Sequence, residues 1–238
     1  MARLREGKVS RLAPTDRYRC PADLPQRIPV FPLRGVILLP RAPLPLNVFE
    51  PRYLAMLQDV MAGARILGMI QPERWGGEEE SPAGKMVPLR RVGCSGRVTA
   101  YEELDDGQLV ITLTGIARFE VVDEPATAKP YRICNVSYDR FSEDLKSDAG
   151  GELVDRTSLL LVLKSYLEAH RLRADWKAII NAPSELLVNS LSILCPYGPE
   201  EKQALLEAAD LKTRAEVLMA LAQMELASRE SGSGGTLN

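Results

Sequence analysis

Between Ile28 and Tyr53 the chain reads IPVFPLRGVILLPRAPLPLNVFEPRY, with six prolines (29, 32, 40, 43, 45 and 51) and Pro25 just upstream. Each proline fixes φ and removes a backbone donor, which excludes a helix and a central strand. The apolar residues threaded between them still demand burial. Short edge strands broken by rigid turns meet both demands. At Glu50-Pro51 the pattern turns helical: proline suits a first helical position, and Tyr53, Leu57 and Met61 recur four apart with Leu54 and Val60 beside them. Gly63 marks the stop.

Up to Ser142 the texture otherwise stays strand-like. Leu109, Ile111 and Leu113 alternate with Val110, Thr112 and Thr114, the period of a half-buried strand. Asp105-Asp106-Gly107 is a hairpin turn leading into it, preceded by a strand over 92–103 whose Gly93 and Gly96 permit a bulge or curl. Further strands are expected over 64–71, 118–122 and 131–138, and a polar, mobile loop over 73–86. After Ser142 the spacing is helical. A linker at 147–151 leads into a helix carrying Leu153, Leu160 and Leu167; Ser184 caps a second, Pro199 opens a third, and 211–227 forms a fourth. These textures predict an α+β chain in four parts: a flexible basic arm over 1–24, a β domain over 25–142, a helical bundle over 143–230 and a disordered tail over 231–238.

Composition narrows the chemistry. With 45% apolar and 26% charged residues among 238 and a net charge of −2, the chain is globular and no polycation. No apolar run nears the roughly 18 residues of a membrane span. The first 20 residues carry six basic and two acidic groups but no apolar leader core. Cys20, Cys94, Cys134 and Cys195 are scattered without a CxxC pair, which predicts reduced thiols, a cytoplasmic setting and no metal. His170 is the single histidine, so paired-histidine zinc motifs are excluded, and its place near a helix end suits a capping role. Gly84-Lys85 lacks the Walker glycine and hydroxyl, with Glu79 and Met86 in their places, and Gly93-Cys94-Ser95-Gly96 misses a nucleophile elbow. No catalytic residue and no cofactor are expected.

Four stretches carry a family likeness. Ile28-Pro29-Val30-Phe31-Pro32-Leu33-Arg34-Gly35 continues through Pro45-Leu46-Asn47-Val48-Phe49-Glu50-Pro51-Arg52-Tyr53. Ile66-Leu67-Gly68-Met69-Ile70-Gln71-Pro72 follows. Then come Val92-Gly93, Asp106-Gly107 and Gly115-Ile116-Ala117-Arg118-Phe119, and last Pro199-Glu200-Glu201-Lys202-Gln203-Ala204-Leu205-Leu206-Glu207. In order and spacing these resemble the Lon N-terminal family, the substrate-recognition domain of Lon proteases, and the form Phe49–Tyr53 is similar to its stand-alone and eukaryotic-type members. The resemblance implies a PUA-like pseudo-β-barrel with one inserted helix, followed by a helical bundle, standing without ATPase or Ser-Lys peptidase modules.

It also implies a non-catalytic module that binds unfolded or extended polypeptides, or one specific protein partner, as an adaptor in quality control. Strand addition at an open edge is one mode for this. The expected contact patch is Phe49, Glu50, Arg52 and Tyr53; the competing reading buries Phe49 and Tyr53 and pairs Arg52 with Glu50. An RNA-binding PUA-like module is the alternative, with Arg90, Arg91 and Arg97 as its cations. A hydrolase built on Cys94 has no further support in the sequence.

Overall fold

Strand β2 (Pro43–Val48) shows how the proline-rich segment meets its constraint. Leu44, Leu46 and Val48 are buried while Pro43, Pro45 and Asn47 are exposed. It pairs antiparallel with β5 (Leu109–Asp123), Leu44 opposite Leu113 and Leu46 opposite Ile111. The Ala42 carbonyl accepts from Gly115 N–H at 3.1 Å and so points at β5. Across a trans peptide the next nitrogen, that of Pro43, points away, and Pro45 follows by alternation. Both prolines therefore face the open side, where a missing donor breaks no ladder bond. In this computed structural model residues 15–73, 87–105 and 107–233 are described. The arm before residue 15, most of the expected loop over 73–86 and the turn residue Asp106 lie outside them.

β1 (Arg27–Pro32) corrects the edge-strand expectation. Residues 27–29 pair antiparallel with β6 (Ile133–Ser137), and residues 30–32 pair parallel with β3 (Ile66–Pro72). The strand is flanked on both sides and changes partner halfway. Its prolines are tolerated because their neighbours donate: Val30 N–H to Arg132 O and Leu33 N–H to Ile70 O, both at 2.9 Å. The sheet order is β2-β5-β4-β3-β1-β6, where β4 is Leu89–Glu103, and β6 pairs back onto β5. Five strands thus close a small barrel, and β2 extends it beside β5.

The strands expected over 109–114 and 118–122 are one continuous β5 through Gly115. A Cβ on Gly115 would lie 1.9 Å from Leu39 O, so only glycine lets the 39–42 turn approach this closely. Opposite it the β4–β5 register shifts between Ser95 and Gly96, the curl suggested by the β4 glycines. Ile28, Val30, Ile70, Phe119, Cys134 and Tyr138 fill one core cluster. A larger cluster joins Leu46 and Ile111 of the sheet, Met56 of α1 (Pro51–Ala62), and Val188, Leu205 and Leu218 of the helical half.

That half holds α2 (Arg156–Ala169), α3 (Trp176–Asn181), α4 (Ser184–Leu194), α5 (Pro199–Glu207) and α6 (Leu211–Ser233). Asp155, Asp175 and Asp210 carboxylates cap α2, α3 and α6 by accepting from Ser158, Ala178 and Thr213 N–H. Four details differ from expectation. Leu153 precedes its helix in a 3-10 turn, and Pro183 rather than Ser184 occupies the cap of α4. The short α3 has no counterpart in the sequence reading, and α6 continues to Ser233 beyond the expected start of the tail.

A polar seam ties the helices to the barrel. Arg118 of β5 holds both Asp144 oxygens at 2.8 Å and donates to Leu206 O at 3.1 Å and Ala208 O at 2.5 Å. Gln71 of β3 accepts from Gly35 N–H at 2.7 Å and donates to Pro199 O at 2.9 Å and Gln203 Oε1 at 3.0 Å. Arg41 pairs with Glu185 at 2.5 Å.

Candidate functional site

The β2–α1 junction places three of the four expected contact residues together. Glu50 is extended (φ −70°, ψ 132°) at the helix cap, and its carbonyl accepts from Tyr53 and Leu54 N–H, both at 2.9 Å. Pro51 at the first helical position needs no donor there. Arg52 then reaches back to Glu50 Oε2 at 2.7 Å and lies 5.0 Å over the Tyr53 ring. Tyr53 is only 3% exposed and its ring centroid sits 4.1 Å from that of Phe31. Tyr53 is a core residue and Arg52 is Glu50's partner, as the competing reading had it. Phe49 goes the other way: it is 62% exposed.

Arg52 and the edge of Tyr53 form one wall of a groove of about 450 Å³. Its other wall is the β5–β6 connection, Glu124–Thr127 and Lys129–Arg132, and Pro32 of β1 also lines it. Phe49 and Glu50 do not line it. The far wall is held by ion pairs. Arg132 donates to Glu124 through Nε at 2.6 Å and through Nη2, and to Val87 O at 2.8 Å. Lys129 Nζ at 2.8 Å and the Tyr131 hydroxyl both donate to Asp59 of α1. These bonds hold the Asp59 carboxyl below the ordinary carboxylate range, Lys129 contributing most and Tyr131 next. Burial, then the Asp59 contact, pushes the Tyr131 phenol up to about 12. A second hollow of about 290 Å³, lined by Pro29, Val60, Ala64 and Ile133, adjoins across Tyr131.

The charges at the main groove are thus spent on one another, and Pro32, Pro125, Ala126 and Pro130 give it apolar surface beside the edges of Tyr53 and Tyr131. Such a surface recognises by shape and apolar contact. Sequence reasoning reached the α1 wall but missed the 124–132 wall. The bracketing Pro125 and Pro130 signal a rigid connection, yet only the β1–β6 pairing brings it opposite Arg52.

Side chains of catalytic type are engaged within the fold. Burial raises the Cys94 thiol far above its ordinary value and the Cys134 thiol to about 12, the reverse of nucleophile activation. Lys202, lowered to about 8 by burial, donates to Ser192 O at 2.9 Å and to Ile193 O, while the Ser192 hydroxyl donates to Val188 O at 2.8 Å. His170 ends α2, stacked on Tyr166 with 4.2 Å between ring centroids and with Nε2 3.0 Å from Glu225. Among the described residues no group of three or more acidic, cysteine or histidine side chains converges on a common point. No helix among them is long and apolar enough to cross a membrane.

Comparison with known proteins gives one consistent answer. The family model of the ATP-dependent protease La (LON) substrate-binding domain matches residues 27–223. The chain is 26% identical over 215 residues to a Lon protease of Flavobacterium johnsoniae, covering 87% of this chain and 25% of that protein. It is 27% identical over 202 residues to Lon protease 2 of Myxococcus xanthus, covering 84% and 24%. The chain therefore spans about a quarter of the length of these relatives. Among solved structures, a Lon N-terminal domain protein from Xanthomonas campestris superposes with a TM-score of 0.57 at 24% identity, covering 82% of this chain and 97% of that one. The N-terminal domain of a Mycobacterium avium complex Lon protease gives the same TM-score at 13% identity, covering 83% and 98%.

Proposed function

The chain belongs to the family of LON substrate-binding domains, and from that premise we propose that it is a non-catalytic polypeptide-recognition module, an adaptor in protein quality control. The family match over residues 27–223 carries this reading. The groove at the start of α1 supports it, being wide enough for side chains of an extended chain and walled by proline and aromatic surface. The ligand is an unfolded or extended polypeptide, or the extended segment of one dedicated partner. Catalysis has no part in the proposal. A reducing, cytoplasmic setting accords with cysteines that form no disulfide.

RNA binding is less well supported. Arg90 is paired with Glu200, Arg91 lies 3.5 Å from Glu120, and Arg97 donates to Ala64 O at 2.9 Å. The three cations named for a phosphate groove are thus already engaged.

The test is fluorescence anisotropy with a labelled, permanently unfolded protein. Ala126→Trp fills the groove, and the exchange Glu50→Arg with Arg52→Glu inverts the local charges while keeping a pair. Ala126→Trp is expected to weaken binding about tenfold or more, the loss that removing an anchored contact of about 1.4 kcal/mol would cause, and the exchange, which keeps the pair, to change it little. Unchanged affinity in folded Ala126→Trp removes the groove from the proposal. No binding of any unfolded chain by the wild type removes the function.

A further inference from the structure

The strand-addition mode can be tested against the backbone, and the two open flanks of the sheet differ sharply. On the outer side of β2, Pro43 and Pro45 leave Asn47 as the single outward donor between residues 43 and 48. That edge is blunted. The outer side of β4 is not. β3 ends its pairing at Ile66 opposite Arg97, and beyond it no strand among the described residues flanks 99–103.

The direction of the β4 groups follows from the register. Odd residues of β5 turn to β2, so Val110 and Thr112 turn to β4, where they face Glu102 and Ala100. Tyr101 and Glu103 therefore direct N–H and C=O outward. Val98 fixes the sense independently, since its N–H donates outward to Arg65 O at 2.9 Å before the register shift at residue 99. Tyr101 is 45% exposed, and Leu104 at the tip is exposed too. Glu102, Glu103 and Asp105 are exposed, and among the described residues no cation pairs with them.

We propose that the outer edge of β4 over residues 99–103 accepts an extended, basic polypeptide segment as an added antiparallel strand. The inference rests on the polypeptide-binding reading above and names the chemistry of the ligand. Four backbone hydrogen bonds, two each at Tyr101 and Glu103, hold the segment. Glu102 and Glu103 lie on opposite faces, so two consecutive basic residues in the ligand meet one carboxylate each. An apolar or β-branched residue next in line packs on Tyr101. Acidic segments are repelled.

The probe is a labelled hexapeptide, Thr-Val-Lys-Arg-Val-Thr, titrated into the full chain at low ionic strength, with Thr-Val-Glu-Glu-Val-Thr as its counterpart. Two further versions carry N-methyl groups on alternate sets of amides. The basic peptide is expected to bind at least tenfold more tightly than the acidic one, and one methylated set alone is expected to abolish binding. Glu103→Pro keeps the inward ladder and removes the outward donor, so it is expected to weaken binding about tenfold, and Glu103→Ala less. Equal binding of both methylated sets overturns the proposal, and that measurement needs no folded variant. So does full affinity in Glu103→Pro, or no preference for the basic peptide. In those cases recognition through the groove is judged separately, by the unfolded-protein titration with Ala126→Trp.

Discussion

Arg118 carries its charge to a place where its side chain is 4% exposed, and it is tolerated there because Asp144 grips its guanidinium and two helix-end carbonyls accept from Nη1. Asp144→Ala leaves that charge uncompensated. It is expected to cost roughly 3 kcal/mol of unfolding free energy, read from urea titrations, and Asp144→Asn less, since an amide oxygen still accepts. Lys202 makes a prediction in pH. Its folded value of about 8 lies below the ordinary 10.5, so between those values the unfolded chain binds more protons and stability rises with pH. Below about 8 the ammonium is charged in both states and the penalty is fully present. The buried Cys94 and Cys134 thiols act in the opposite sense above about 9 in both proteins, so the change in urea midpoint across that window should be more positive in the wild type than in Lys202→Met.

At the level of elements, the prolines of β2 do two things: they permit a strand and they close its edge. Pro43→Thr with Pro45→Thr restores two outward donors without touching the β5 ladder. The double variant is expected to self-associate as its concentration rises, seen by light scattering, while the wild type under the same conditions does not. Gly115→Ala drives a Cβ into Leu39 O and is expected to destabilise by about 1–3 kcal/mol in thermal melts. These elements also show what a sequence discloses. Helix α1 and the alternating run from Leu109 are readable because local periodicity alone specifies them. The burial of β1 between two strands is not, because its proline content argues for an edge and only the change of partner at residue 30 removes the conflict. The same holds for the site. Arg52 and Tyr53 stand out from the helix start, whereas Glu124 and Arg132 become its opposite wall through pairings some hundred residues apart in the chain.

Across the whole molecule, one cluster of buried side chains joins β2, β5 and α1 to α4, α5 and α6, and the Arg118 and Gln71 seams cross the same boundary. A shared core of this kind is expected to unfold as a unit. Hydrogen exchange should give the same opening free energy for the slowest amides of β5 and of α4; a helical half that exchanges first would show the two to be separable. The change of partner in β1 reaches beyond the finished fold. Its N-terminal half docks on residues 133–135, which the ribosome delivers about a hundred residues later, a delay of roughly 5–20 s at ordinary elongation rates. For that interval the barrel is an unclosed ribbon with an apolar first strand, and a holdase that covers residues 27–29 during synthesis would shelter the seam on which closure depends.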